Sequence, residues 1–284
     1  MVECEGCGLI RLFPWPEKDE LWRFYPKNYW FQAGESAAAK MEERYRRFVL
    51  GDHVRFLRRA LRESGEKALV VDVGCGGGLF LRLLNEEGWP VLGLDYSREA
   101  VGIAWKRNGV RAAVAALTEA PVAEGSCAAV TMFHVLEHVY DPAEHLEAAR
   151  KLLRPEGRLI VQVPNASCWQ FLLLQENWNG LDVPRHLIDF RQKDVEALLE
   201  RTGFEVVNRK HFSLRDNPAG LATSLAPALD PMARRLRGIA ETPRKRLAKD
   251  LLYFALTMAA IPFTVVEAAC RAGSTIMIEA RRKA

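Results

Sequence analysis

The sequence predicts an α/β protein with a mostly parallel sheet covered by helices on both faces, and three observations predict it. Residues 70–95, VVDVGCGGGLFLRLLNEEGWPVLGLD, read as strand, glycine loop, helix, turn and strand in one unbroken unit. From there to residue 212, short apolar runs alternate with segments of helical periodicity, as in a sheet wound by crossover helices. The composition, 49% hydrophobic and 27% charged over 284 residues, is that of a globular chain with room for one α/β domain plus additions.

Ala68–Val73 is apolar except for Asp72, as a parallel strand covered on both faces requires. Gly74, Gly76 and Gly78 then alternate, so the backbone, Cys75 included, can turn sharply and lie against a ligand where a Cβ would collide. Leu79–Leu84 has helical spacing, 85–90 breaks it, and Val91–Leu94 makes the next strand. Asp95 ends that strand, where a carboxylate can accept both hydroxyls of a ribose. A dinucleotide fingerprint places its last glycine at position 79, which is Leu79, and this sets aside a nicotinamide-dependent oxidoreductase. The pattern present is D-x-G-x-G-x-G, Asp72 to Gly78. Its acid suits an ammonium group rather than a diphosphate.

This pattern resembles motif I of the S-adenosylmethionine-dependent methyltransferases with the Rossmann-like fold. Ser97 caps a helix that runs to Asn108, Gly109 stops it, and Val110–Ala115 is the third strand. The resemblance implies an acid after that strand for the adenine amino group. Ala116 and Leu117 stand there instead, followed by Thr118 and Glu119, so the adenine contact is expected from backbone or from Glu119. Ala128–Phe133 is the fourth strand and runs into His134-Val-Leu-Glu-His138. Read alone, H-x-x-E-H is an inverted zinc-protease motif, but that motif needs a helix interior and a third ligand. Here it straddles the end of a strand, and the segment HVLEHV is similar to one in the methyltransferase group that includes ubiquinone-biosynthesis O-methyltransferases. Glu144–Leu153 is a helix, Pro155 and Gly157 make a turn, and Arg158–Val163 is the fifth strand; the string LLRPEGRLIVQVPN is similar to the family's turn-and-strand signature.

With four matches in order, motif I, Asp95, HVLEHV and LLRPEG, the chain is identified as a member of that family. The resemblance implies a seven-stranded sheet in the order 3-2-1-4-5-7-6, with Phe204–Phe212 as strand six and Ser274–Ala280 as the antiparallel strand seven. It also implies S-adenosylmethionine as cofactor and S-adenosylhomocysteine as product. Asp72, Gly74, Cys75, Gly76, Gly78, Asp95, Tyr96, Ala116, Leu117, Phe133 and His134 would hold them.

At the start, Cys4-x-x-Cys7-Gly8 has the shape of one zinc knuckle, but a tetrahedral site needs four ligands, so zinc is not expected from this pair. Related bacterial methyltransferases carry two knuckles and then a tyrosine-rich segment across the cofactor mouth, and here the first knuckle is missing. The segment FYPKNYW matches the tyrosine-rich part, which implies substrate-side roles for Tyr25, Tyr29 and Trp30. Ala37–Arg62 is an amphipathic helix with Met41, Tyr45, Phe48, Phe56 and Ala60 toward the sheet, closed by Gly65.

Residues 165–190 follow the fifth strand at the carboxyl edge of the sheet, where open α/β folds bind ligands. Trp169, Phe171 and Trp178 can wall a pocket, with Arg185 and His186 among its polar groups. His186 is the candidate general base, because a neutral imidazole can take a proton from a hydroxyl; His134 and His138 are the next candidates, framing the cofactor's amino-acid end. The expected acceptor is a small molecule, a sugar or glycan, or a quinone-like ring. A second reading is a cofactor-binding but inactive partner in a glycan-modifying assembly.

The expected divisions are an extension at 1–36, the methyltransferase core at 37–212, a helical insertion at 213–272 and the last core strand at 273–284. The insertion carries a basic run from Arg234 to Lys249 and then Leu251–Val266 without a charge. Those sixteen residues fall short of the roughly 20 that span a bilayer, so a lid, a dimer face or a peripheral membrane contact through 234–270 is expected. A net charge of +4 does not argue for nucleic acid. Met1–Gly8 lacks a basic start and apolar core, and six irregularly spaced cysteines read as reduced thiols, so a cytoplasmic location is expected.

Overall fold

The computed structural model describes residues 1–18, 20–25, 37–62 and 67–283; Tyr29, Trp30 and Gly65 lie outside them. Packing divides the chain into a smaller unit, residues 1–29, 164–192 and 210–276, and a larger one, residues 30–163, 193–209 and 277–284.

The smaller unit opens with a hairpin, β1 (Val2–Glu3) and β2 (Ile10–Arg11), whose turn carries Cys4 and Cys7. β2 pairs antiparallel with β8 (Ile188–Asp189), joining segments remote in sequence. Two-residue strands carry no periodicity, and no sequence pattern announces this sheet.

In the larger unit α1 (Ala37–Ala60) leads to β3 (Leu69–Val73), α2 (Leu79–Glu86), β4 (Val91–Asp95), α3 (Arg98–Asn108) and β5 (Ala112–Val114). Then follow β6 (Cys127–Phe133), α4 (Pro142–Leu152), β7 (Leu153–Pro164), α6 (Gln192–Arg201), β9 (Phe204–Lys210) and β10 (Thr275–Arg282), with α5 (Trp169–Leu174) lying in the smaller unit. The sheet runs β5-β4-β3-β6-β7-β10-β9, the expected order 3-2-1-4-5-7-6 with its last strand antiparallel. It is a Rossmann-like α/β sheet.

β3 and β6 are buried from end to end apart from their outermost residues, which is why their runs are apolar without alternation. Two polar pairs cross this interior. Asp72 Oδ1 accepts the Thr131 hydroxyl at 2.6 Å from its register partner on β6. Arg158 Nε on β7 lies 3.2 Å from Glu279 Oε1 on β10, both side chains nearly buried.

Two sequence expectations change. The apolar stripe on α1 is displaced in its first half: Met41, Tyr45 and Phe48 are exposed, whereas Phe56 and Ala60 are buried as expected, together with Val49, Leu50, Val54 and Leu57. Pro155 and Gly157 do not end a helix ahead of a separate strand. β7 already begins at Leu153, paired with Cys127, and 154–157 bulge out before Arg158 rejoins opposite Ala129. Glu156 takes a positive φ of 62° there, the local cost of the extra residues.

The remaining helices of the smaller unit are α7 (Asn217–Leu225), α8 (Pro231–Leu236) and α9 (Pro243–Ala269). The end of the basic run and the whole of the uncharged stretch after it form a single 27-residue helix that continues through Pro262. By length and composition this helix is long and apolar enough to cross a membrane, its uncharged stretch of sixteen residues extended by the turns on either side.

Candidate active site

The glycine loop is built by the strand ends around it. Gly74 and Cys75 both donate their N–H groups to Leu94 O, at 2.8 and 3.1 Å, so the loop leaves β3 leaning on β4. Gly76 donates to Asp95 Oδ2 at 2.9 Å, and Ser97 N–H to Asp95 Oδ1 at 2.8 Å. Asp95 is buried, and that burial raises its carboxyl above the ordinary value against the pull of those two N–H groups. From behind, Asn108 Nδ2 donates to Gly77 O at 2.6 Å.

Two of the three alternating glycines serve the protein's own packing. A Cβ on Gly74 would lie 2.8 Å from Val135 Cγ2, and one on Gly78 2.7 Å from Val110 Cγ2. Gly74, Gly76 and Gly78 also adopt positive φ, where a side chain costs of order 1 kcal/mol. Cys75 turns its thiol inward, where burial first, then Asp72 and Asp95, raises its pKa far above the ordinary thiol. Only the backbone of Cys75 is available to a ligand. Tyr96, directly after Asp95, is 70% exposed. Ala116 and Leu117 enter a 3-10 turn over Leu117–Glu119, with Leu117 buried and Ala116 half-buried.

At the end of β6, Phe133 packs edge-on to the rings of His53 and Phe80. His134 then takes φ +58°, uncommon for a residue with a side chain. Its ring is fixed from both sides: Gln162 Nε2 donates to Nε2 at 2.7 Å and Nδ1 bonds Glu137 Oε1 at 3.0 Å. Leu136–His138 is one 3-10 turn, and α4 starts afresh at Pro142 with Asp141 as its cap, so the motif has no helix interior. His138 is half-buried at the end of that turn.

The acceptor-side candidates lie in the smaller unit. His186 is 6% exposed, and its Nδ1 bonds Gly180 O at 2.7 Å. Asp182 Oδ2 lies 3.8 Å from its Nε2. Arg185 bonds Asp182 Oδ1 at 2.7 Å and stands 5.9 Å over the ring of Tyr25, so Tyr25 and Arg185 are together. Trp178 is buried among Ile10, Ala166 and Cys168, its ring 5.2 Å from Phe171. Beside it an open cleft of about 790 Å³ is lined by Phe171, Leu172, Trp178, Leu181 and Asp182 among others.

The methyltransferase domain family matches residues 40–209, more than half of the chain. The chain belongs to this family, the S-adenosylmethionine-dependent methyltransferases of the Rossmann-like class. Over 126 residues it is 32% identical to the ubiquinone biosynthesis O-methyltransferase of Methylococcus capsulatus, covering 42% of this chain and 52% of that one. Over 186 residues it is 28% identical to a probable S-adenosylmethionine-dependent methyltransferase of Mycolicibacterium smegmatis, 63% of this chain and 61% of the other. The chain thus spans about half to three-fifths of the length of these curated relatives. The geranyl diphosphate C-methyltransferase of Streptomyces coelicolor, solved with S-adenosylhomocysteine, shares the fold at a TM-score of 0.58 and 15% identity, over 93% of this chain and 97% of that one.

The methyltransferase loop fits the cofactor at Asp95. Each of its oxygens has accepted one backbone N–H and keeps a further lone pair, enough for two neighbouring ribose hydroxyls. Asp72, by contrast, spends Oδ1 inside the sheet on Thr131. Sequence reasoning missed Thr131, Asn108 and Gln162, none of which carries a motif signal, and gave Glu137, the acid of the H-x-x-E-H string, no role beside His134. It also missed Gly93, where a Cβ would lie 2.5 Å from Cys75 Sγ, although a glycine inside a strand was a usable hint.

Proposed function

We propose that this methyltransferase moves a methyl group from S-adenosylmethionine to an oxygen nucleophile on a ring-bearing small molecule, a sugar or a quinone-like acceptor, with His186 as general base. The observation that carries the base is the hydrogen bond from His186 Nδ1–H to Gly180 O at 2.7 Å. It keeps the proton on Nδ1 and makes Nε2 the basic nitrogen. Asp182, 3.8 Å from Nε2, then offsets the charge of the imidazolium that forms. The name of the Methylococcus relative supports oxygen as the nucleophile, and the apolar walls of the cleft beside Asp182 support a ring.

The cofactor supplies a methyl group already activated on a sulfonium, so this chain's residues align the partners and remove one proton. Asp95 holds ribose hydroxyls, the backbone of 74–78 lies along the cofactor, and the turn at Ala116 and Leu117 meets the adenine. His134, with Gln162 and Glu137 on its two ring nitrogens, is a positioning residue rather than a proton acceptor. Arg185, held by Asp182 over Tyr25, orients the acceptor.

The test is methyl-labelled S-adenosylmethionine offered with a panel of phenols, catechols and sugars. The label is expected in an ether, with His186→Ala lowering turnover by about 10²- to 10⁴-fold and leaving S-adenosylhomocysteine affinity unchanged. Label on carbon or nitrogen contradicts the acceptor atom; equal turnover in the variant removes His186 as base.

A further inference from the structure

α9 has its polarity reversed. Between residues 251 and 269 every exposed position is apolar: Leu251, Leu252, Phe254, Met258, Val265 and Val266, with the alanines and Pro262 between them. Every polar side chain of that span is turned inward. Tyr253 Oη bonds Thr223 Oγ1 on α7 at 2.9 Å, and Thr257 and Thr264 return their hydroxyls to the helix's own carbonyls. Glu267, fully buried, accepts Gln170 N–H at 3.0 Å and Gln170 Nε2 at 2.8 Å. A helix on a water-facing surface shows the opposite arrangement. Polar groups inward and large apolar groups outward is the pattern of a helix whose surroundings are hydrocarbon.

Ahead of the apolar face stands a group of cations. Arg244, Lys245 and Arg246 are all exposed in the first turn of α9, and Arg237 is exposed just before it. Nearby, Arg234 and Lys249 share Glu241, and Asp250 pairs with Arg234 and lies 3.9 Å from Arg246, so two acids face a larger number of cations and this end of the helix stays positive.

We infer that α9 docks the protein on an anionic lipid surface, lying in the plane of the bilayer with Leu251, Phe254, Met258 and Val265 among the acyl chains and the Arg244–Arg246 turn among the headgroups. Charge complementarity favours lipid over a second copy of the chain, whose own cations would have to be accommodated. The helix is long enough to span, but its inner face is bonded to Thr223 and Gln170, and crossing would strip those partners from Tyr253 and Glu267. The in-plane arrangement keeps both the inner bonds and the outer burial.

The test is flotation of the full chain with vesicles of phosphatidylcholine, alone or with about 30% phosphatidylglycerol. The chain is expected to float with the anionic vesicles at least tenfold more strongly than with the neutral ones. Removing the charges of Arg244, Lys245 and Arg246 together should weaken that binding by about one to two orders of magnitude and remove its salt dependence. Phe254→Glu with Val265→Glu should abolish it, with circular dichroism showing both variants folded. Four results overturn the proposal: no flotation by the folded wild type, equal binding to both vesicles, resistance to alkaline carbonate extraction as for a spanning helix, or a dimer broken by Phe254→Glu without vesicle binding.

Discussion

The carboxylate of Asp95 accepts the amide proton of Gly76 at 2.9 Å, so the end of β4 and the middle of the glycine loop are one hydrogen-bonded unit. The group that would hold the ribose also shapes the loop on which the rest of the cofactor would lie. Losing Asp95 therefore removes a ligand contact and loosens the loop together.

That carboxyl has its pKa raised by burial, which gives a pH dependence of definite sign. Above the raised value Asp95 is ionised and accepts ribose hydroxyls best. S-adenosylhomocysteine affinity should fall as pH drops through it, at a higher pH than the ordinary 3.8. For stability, the folded protein holds this proton more tightly than the unfolded chain. The cost of its ionisation is absent below 3.8, grows as pH rises and is fully present above the folded pKa. Titrations across pH should show a slope in the wild type and a flatter profile in Asp95→Asn. Identical slopes would contradict the assignment.

Gly93 is glycine because Cys75 lies over it. Gly93→Ala should destabilise by about 1–3 kcal/mol through overpacking, and Cys75→Ala should recover part of that loss in the double variant. Thermal unfolding of the four proteins measures the coupling.

The ion pair between Arg158 and Glu279 ties β7 to β10 inside the sheet. Glu279→Ala leaves a buried guanidinium without its partner and should cost about 3–5 kcal/mol, whereas replacing both residues by Met and Leu should be close to neutral. Denaturant unfolding distinguishes the two outcomes.

The thiols should divide evenly. Cys4, Cys7 and Cys270 are exposed, while Cys75, Cys127 and Cys168 are buried with raised pKa values, Cys168 to about 12. Cys4 should react first, because N–H groups from Cys7 and Gly6 hold its thiol below the ordinary value. Ellman's reagent should count three thiols in the native protein and six after denaturation.

The sheet was legible because its strands are continuous apolar runs broken by glycine and proline, and the order followed from the family the loop resembles. Asp95, the glycines and the cap at Ser97 were readable for the same reason: each is a residue type demanded by one backbone position. The Asp72–Thr131 bond, the ring partners of His134 and the pairing of β2 with β8 were not, since each joins residues separated by strands or whole units. The outward apolar face of α9 was not legible because exposure, not composition, shows which side of the helix faces out.

The most direct test is calorimetric titration of the purified protein with S-adenosylhomocysteine beside Asp95→Ala. The wild type should bind, and the variant, still folded, should bind about 10- to 100-fold more weakly, as loss of hydrogen bonds to a charged group implies. Equal affinity in the two proteins would contradict the site as built around Asp95, and no binding by a folded wild type would contradict the cofactor itself.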